Sequence, residues 1–165
     1  ATGPAGPTGA TGSTGATGPA GTGTFTPVVM STTKTTNQTL PGGSSTIITN
    51  WNPGIDTAAQ FNPTAGTYTI PINGIYQIQV CAEITPVSGS SNSCNLAINI
   101  NGTPTVASGF SISSATSTNI LTIAFSKILS LSAGNVITLN INTGPQSTLI
   151  ASAPNTAIFD IFQIA

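Results

Sequence analysis

The side chains able to do acid–base, nucleophilic or metal chemistry are few in this chain. Among its 165 residues are two Lys (Lys34, Lys127), two Asp (Asp56, Asp160), one Glu (Glu83) and two Cys (Cys81, Cys94), with no His and no Arg. Ser31 and Lys34 have the Ser-x-x-Lys spacing of serine acyltransferases. That chemistry places the Ser at a helix N-terminus with its Lys one turn on. The segment is a Thr-rich β-like run, so the expectation is a solvated Lys and no nucleophile. A thiol nucleophile lacks an imidazole to activate it. Three scattered carboxylates form neither a metal cage nor an acid–base pair. No catalytic residue, metal site or cofactor is expected.

Cys81 and Cys94 would close a 12-residue loop if bridged. Bridging needs Cβ atoms within about 4.5 Å of each other and pointing together. Strand parity puts Cys94 with Leu96 and Ile98 and Cys81 with Gln77 and Gln79, so two separate buried thiols are expected. Asn37-Gln38-Thr39 and Asn101-Gly102-Thr103 fit the N-glycosylation pattern. The second is already explained as a turn, and chance explains the first. Trp51, the only Trp, is expected in the core or in loop packing because Trp is highly buried on average. The alternative makes Trp51, with Tyr68, an exposed platform for a ligand such as a sugar.

Only 3% of residues are charged and the formal net charge is −1, against about 25% charged in an ordinary domain. No basic patch exists to neutralise phosphates, which excludes nucleic-acid binding. Mean hydropathy is +0.27, yet no apolar run reaches the roughly 18 residues of a membrane span. Thr, Ser, Asn and Gln must supply the solvated surface of an extracellular β-protein.

The elements that position these residues are strands. Tyr76, Ile78, Val80, Ala82 and Ile84 alternate with Gln77, Gln79 and Glu83, and Leu96, Ile98 and Ile100 alternate with Asn95, Asn99 and Asn101. Period-two alternation marks half-buried strands, and Asn101-Gly102 marks a hairpin. Further strands are expected at Pro27–Thr33, Thr46–Asn50, Gly66–Ile70, Thr105–Ser113, Ile120–Leu131, Asn135–Asn142 and Ala157–Ala165. Turn signals include Pro41-Gly42-Gly43, Asn52-Pro53-Gly54 and Asn73-Gly74. No stretch combines helical periodicity with capping. Eight to ten short strands predict an all-β sandwich, a jelly roll.

The last strand is apolar on both faces, Ile158, Phe162 and Ile164 on one and Phe159 and Ile161 on the other. A second buried face implies another subunit. Tyr76, Ile78, Val80 and these five residues are the expected core and inter-subunit contacts. Asp160 lies among them, so its copies would approach one another or pair with Lys34 or Lys127.

Residues 1–22 obey different physics. Gly3, Gly6, Gly9, Gly12, Gly15, Gly18 and Gly21 keep a strict period of three. Three polyproline-II chains coil only when every third residue lacks a side chain, and seven triplets would span about 65 Å. Thr8, Thr11, Thr14 and Thr17 fall at the outward Y position, where they would carry O-linked sugars or remain plain solvated Thr. No Pro occupies Y, which points to an organism without prolyl hydroxylation, bacterial or phage. The expected organisation is a collagen-like stalk over 1–22 and a trimeric head over 23–165.

A Gly-X-Y stalk followed by a β-head, with Phe61–Val80 (FNPTAGTYTIPINGIYQIQV), resembles the complement/tumour-necrosis-factor-like trimeric jelly rolls. INGTPT, LSLSAGNVITLNI and IFDIFQIA make the chain similar to the Bacillus collagen-like glycoproteins of the spore exosporium. The resemblance covers essentially the whole chain. It implies a ten-stranded jelly roll whose first, third and last strands lie near a threefold axis, and a place on the spore surface. The calcium-binding acidic loops of some animal heads have no counterpart, because Asp56, Glu83 and Asp160 are scattered. The expected function is structural: a homotrimeric fibre tip for shielding or adhesion, anchored through a region upstream of Ala1. The competing expectation is a specific binding module, a lectin-like head or a phage fibre tip.

Overall fold

A computed structural model of the chain describes residues 1–7, 9–13, 25–85, 92–112, 120–151 and 157–165. Among the described residues there are thirteen strand segments and no helix. They form two antiparallel sheets of seven and six strands, the expected jelly-roll sandwich.

The larger sheet, sheet A, is built around β7 (Gly74–Thr85). Along one edge β7 pairs with the whole of β10 (Leu121–Leu131), from Leu121 opposite Ile84 to Leu131 opposite Gly74. Its other edge is shared end to end by β13 (Ile158–Gln163) and β12 (Ser147–Ile150). Beyond β13 lie β1 (Val29–Thr33) and then β4 (Asn52–Asp56), while β2 (Gln38–Leu40) flanks β12. Sheet B repeats the arrangement around β11 (Val136–Thr143). One edge takes β8 (Asn92–Ile100) and then β9 (Thr103–Ile112). The other is shared by β3 (Ser45–Ile47) and β6 (Thr67–Thr69), with β5 (Phe61–Asn62) outside β6. Two short segments sharing one partner edge raise the segment count above ten while the architecture is unchanged.

The periodicities explain the layers. Tyr76, Ile78, Val80, Ala82 and Ile84 are all buried, as are Leu96 and Ile98. Their alternating partners face outward, the pattern that drives two pleated faces together. The hairpin at Asn101-Gly102 has both residues at positive φ (51° and 79°), the geometry of a two-residue turn matched to strand twist. The Asn101 carboxamide oxygen also accepts the Val136 amide at 2.8 Å, tying the turn to β11.

One turn signal resolves differently. Asn52-Pro53-Gly54 lies inside β4, the edge strand of sheet A. Thr32 faces Pro53 and Ser31 faces Ile55, so Gly54 is the extra residue of a bulge. A Cβ on Gly54 would sit 2.7 Å from the Ser31 carbonyl oxygen. Pro and Gly are tolerated in a strand at an edge and at a bulge, and β4 offers both.

Candidate functional site

Sheet parity decides which side chains of β13 can do what. Phe159, Ile161 and Gln163 point into the sandwich and are buried. Ile158, Asp160 and Phe162 occupy the opposite, outward face, each half-buried by its neighbours on that face. Register extends the outward face across four strands. Phe162 lies between Val29 of β1 and Gln77 of β7, and Gln77 faces Ile128 of β10. Asp160 lies between Ser31 and Gln79, and Ile158 between Thr33 and Cys81. Ile128 and Ile55 are each 57% exposed, Ile164 45% and Ile75 41%. The result is a broad face on which apolar side chains surround a few amides and hydroxyls. Patches of large apolar residues on a soluble surface mark interaction sites.

Glu83 and Asp160 belong to this face as well. Each carries one oxygen that is shut off from solvent and accepts no hydrogen bond among the described residues, Oε2 of Glu83 and Oδ1 of Asp160. Glu83 lies two register rows beyond Gln79, the partner of Asp160, about 13 Å along the strand at 3.3 Å per residue. Neither Lys reaches Asp160. Lys34 follows β1 on the core-facing parity and Lys127 pairs with core-facing Ile78, so the expected Asp160–Lys contact is not made within the protomer.

Lys34 itself overturns the expectation of a solvated residue. It is 1% exposed, and its ammonium donates to the backbone carbonyls of Thr49 and Asn50. Burial lowers its pKa from the ordinary 10.5. The Ser-x-x-Lys spacing is undone by the pleat, because Ser31 in β1 points outward while Lys34 points inward.

Trp51 and Tyr68 are core residues. Trp51 is 5% exposed, its indole N–H donates to the Ile48 carbonyl at 2.9 Å, and its ring lies 5.9 Å from that of Phe159. Phe61 meets Phe159 edge-on at 6.1 Å. Tyr68 is fully buried opposite Phe61, and burial, with Asp56 and Tyr76 adding smaller effects, pushes its phenol up from the ordinary 10.0. Neither ring is available to a ligand, which corrects the platform reading. Asp56 is occupied with the local loop, accepting the amides of Ala58 and Phe61.

The two thiols are free and lie in different sheets, Cys81 on the outward face of sheet A and Cys94 inside the sandwich on sheet B. Burial pushes Cys94 up to about 12. Cys81 is raised too, by burial first and by Glu83 second. Neither is a thiolate nucleophile at neutral pH. Among the described residues no group of three metal-ligating side chains gathers. No helix among them is long and apolar enough to cross a membrane.

In the N-terminal segment, Gly3, Gly6, Gly9 and Gly12 are exposed, with nothing within 4 Å of the position a Cβ would take. Thr11 is exposed; Thr8, Thr14, Thr17, Gly15, Gly18 and Gly21 lie outside the described residues.

Comparison with solved structures agrees with the sheet topology. The globular domain of the zebrafish complement 1qA protein superposes with a TM-score of 0.59, covering 84% of this chain and 98% of that one at 18% identity. Murine APRIL gives a TM-score of 0.61 with 84% and 100% coverage at 13% identity. The head has a complement/tumour-necrosis-factor-like jelly-roll fold. No protein-family model and no curated protein matches the sequence.

Proposed function

We propose that the chain is a non-enzymatic structural protein whose head assembles three copies through the outward face of sheet A. Residues 1–22 form a collagen-like stalk and 23–165 the head. The observation carrying this reading is the apolar outward face of β1, β13, β7 and β10, with Val29, Ile158, Phe162, Ile128 and Ile164 around Asp160. A monomer gains nothing from placing those side chains in water. Burying them against two other copies stabilises the assembly by roughly 25 cal/mol per Å² of apolar area. The period-three glycines require three chains, and the same sequence joins both demands. The solved jelly-roll neighbours support a head of this kind, and the exosporium-like segments support placement at the tip of a bacterial spore-surface fibre. The amide- and hydroxyl-rich remainder suits shielding or adhesion outside the cell.

Phe162→Asp tests the interface. It places a carboxylate in the centre of the outward face without entering the core. Light scattering should show a monomer that retains its β-type circular dichroism, whereas Ile47→Asp, on sheet B, should remain trimeric. A trimeric Phe162→Asp protein would refute this interface.

A further inference from the structure

The outward face of sheet B differs in kind from that of sheet A. Asn95 of β8 faces Asn142 of β11 on one side and Gly109 of β9 on the other. One row along, Ala97 faces Asn140 and Ala107. Side chains are thus missing or minimal along the β9 flank, and the surface sinks. Two adjoining depressions share Asn95 and Asn142, one of about 260 Å³ reaching Ser45 and Pro104 and one of about 410 Å³ reaching Ser93 and Ser111. Gly109 is fixed in this role, because a Cβ there would lie 2.8 Å from the Cys94 carbonyl oxygen.

The amides around this trough are not equivalent. Asn140 is engaged: its oxygen accepts the Thr138 hydroxyl at 2.8 Å and its nitrogen donates to Ser45 at 3.4 Å. Asn95 and Asn142 are exposed and hydrogen-bond to no other described side chain or backbone group. Asn99 lies on the same parity between Pro104 and Thr138; it is 5% exposed and its Oδ1 has no partner among the described residues. None of the five charged side chains lines either depression. Each of these two carboxamides carries two donors and an acceptor, which is what neighbouring hydroxyls of a sugar ring require. A charged ligand would find no counter-charge, and an apolar one would leave the amides unsatisfied.

We propose that the trough between β9 and β11 binds neutral carbohydrate, with Asn95 and Asn142 as its paired hydrogen-bonding groups. The trough lies on the opposite sheet from the proposed inter-subunit face, and the proposal holds whether or not the trimer forms. The test is an NMR titration of the full chain with cellotriose and, separately, tri-N-acetylchitotriose. Probes are taken to roughly 50 mM, where even millimolar affinity approaches saturation. At least one probe should shift the side-chain amide signals of Asn95 and Asn142. Asn95→Ala and Asn142→Ala should each weaken that binding about 5–10-fold, the value of one or two net hydrogen bonds. Both variants should keep the wild-type melting temperature and light-scattering mass, which separates loss of the site from loss of the fold or the trimer. Absence of any shift with both probes overturns the proposal, as does wild-type affinity in the two variants.

Discussion

Cys94, Cys81, Tyr68 and Tyr76 have in common that burial raises their pKa values, Cys94 from 9.0 to about 12. In the fold these acids keep protons that the unfolded chain gives up at lower pH. Their contribution to stability is full below the unfolded pKa values, 9.0 for the thiols and 10.0 for the phenols, and is lost as pH rises above them. Lys34 acts in the opposite sense. Its folded pKa is lowered, so the unfolded chain binds the extra proton, and its unfavourable share fades as pH climbs towards 10.5. Two thiols and two phenols outweigh one amine. The melting temperature should therefore fall between pH 9 and 11, and Cys94→Ala should fall less steeply over the same interval. Equal slopes would show that Cys94 is not protected in the fold. At the same scale, Phe159 joins Trp51 and Phe61 between the sheets. Phe159→Ala should cost about 3–5 kcal/mol of stability in denaturant titration, the usual loss for a buried aromatic ring.

The elements show which features of the fold were legible and which were not. Long alternating segments were readable because a half-buried strand writes its period into the sequence; Tyr76, Ile78, Val80, Ala82 and Ile84 of β7 and Leu96 and Ile98 of β8 lie inward as the pattern requires. The short segments β2, β4, β5 and β12 escaped, being two to five residues long and held by neighbours instead of by pattern. β4 was hidden further because Pro53 and Gly54 serve a bulge and read as a turn. Lys34 was misplaced because its carbonyl partners, on Thr49 and Asn50, come from a distant loop that no local spacing announces. The trough on sheet B was not legible either, since Asn95, Asn142 and Gly109 meet only through strand pairing. Glycine positions give a sharp check on this level. Gly66 has φ +68° and a Cβ there would lie 2.0 Å from the Ile48 carbonyl oxygen, whereas Gly134 has φ +86° and open space around it. Gly66→Ala should prevent stable folding or cost several kcal/mol, and Gly134→Ala should cost about 1 kcal/mol, the strain of a left-handed alanine alone. Similar losses at both sites, measured by thermal melting, would contradict the close packing around Trp51.

For the whole molecule, near-absence of charge becomes a division of labour between two faces. Sheet A turns apolar side chains outward and sheet B turns amides outward. Ile158 and Phe162 revealed the first face in the sequence, because both parities of β13 are apolar. The extent of that face, through Val29, Ile55 and Ile128, depends on strand order and could be read only from the sheet. With so few charges to screen, assembly should be nearly indifferent to salt, and light scattering at low and high ionic strength should give the same mass. The decisive measurement is the light-scattering mass of the head alone, residues 23–165. Burial of the sheet A face predicts a trimer without the stalk. A monomeric head would contradict the account, because the period-three segment would then be the only source of assembly.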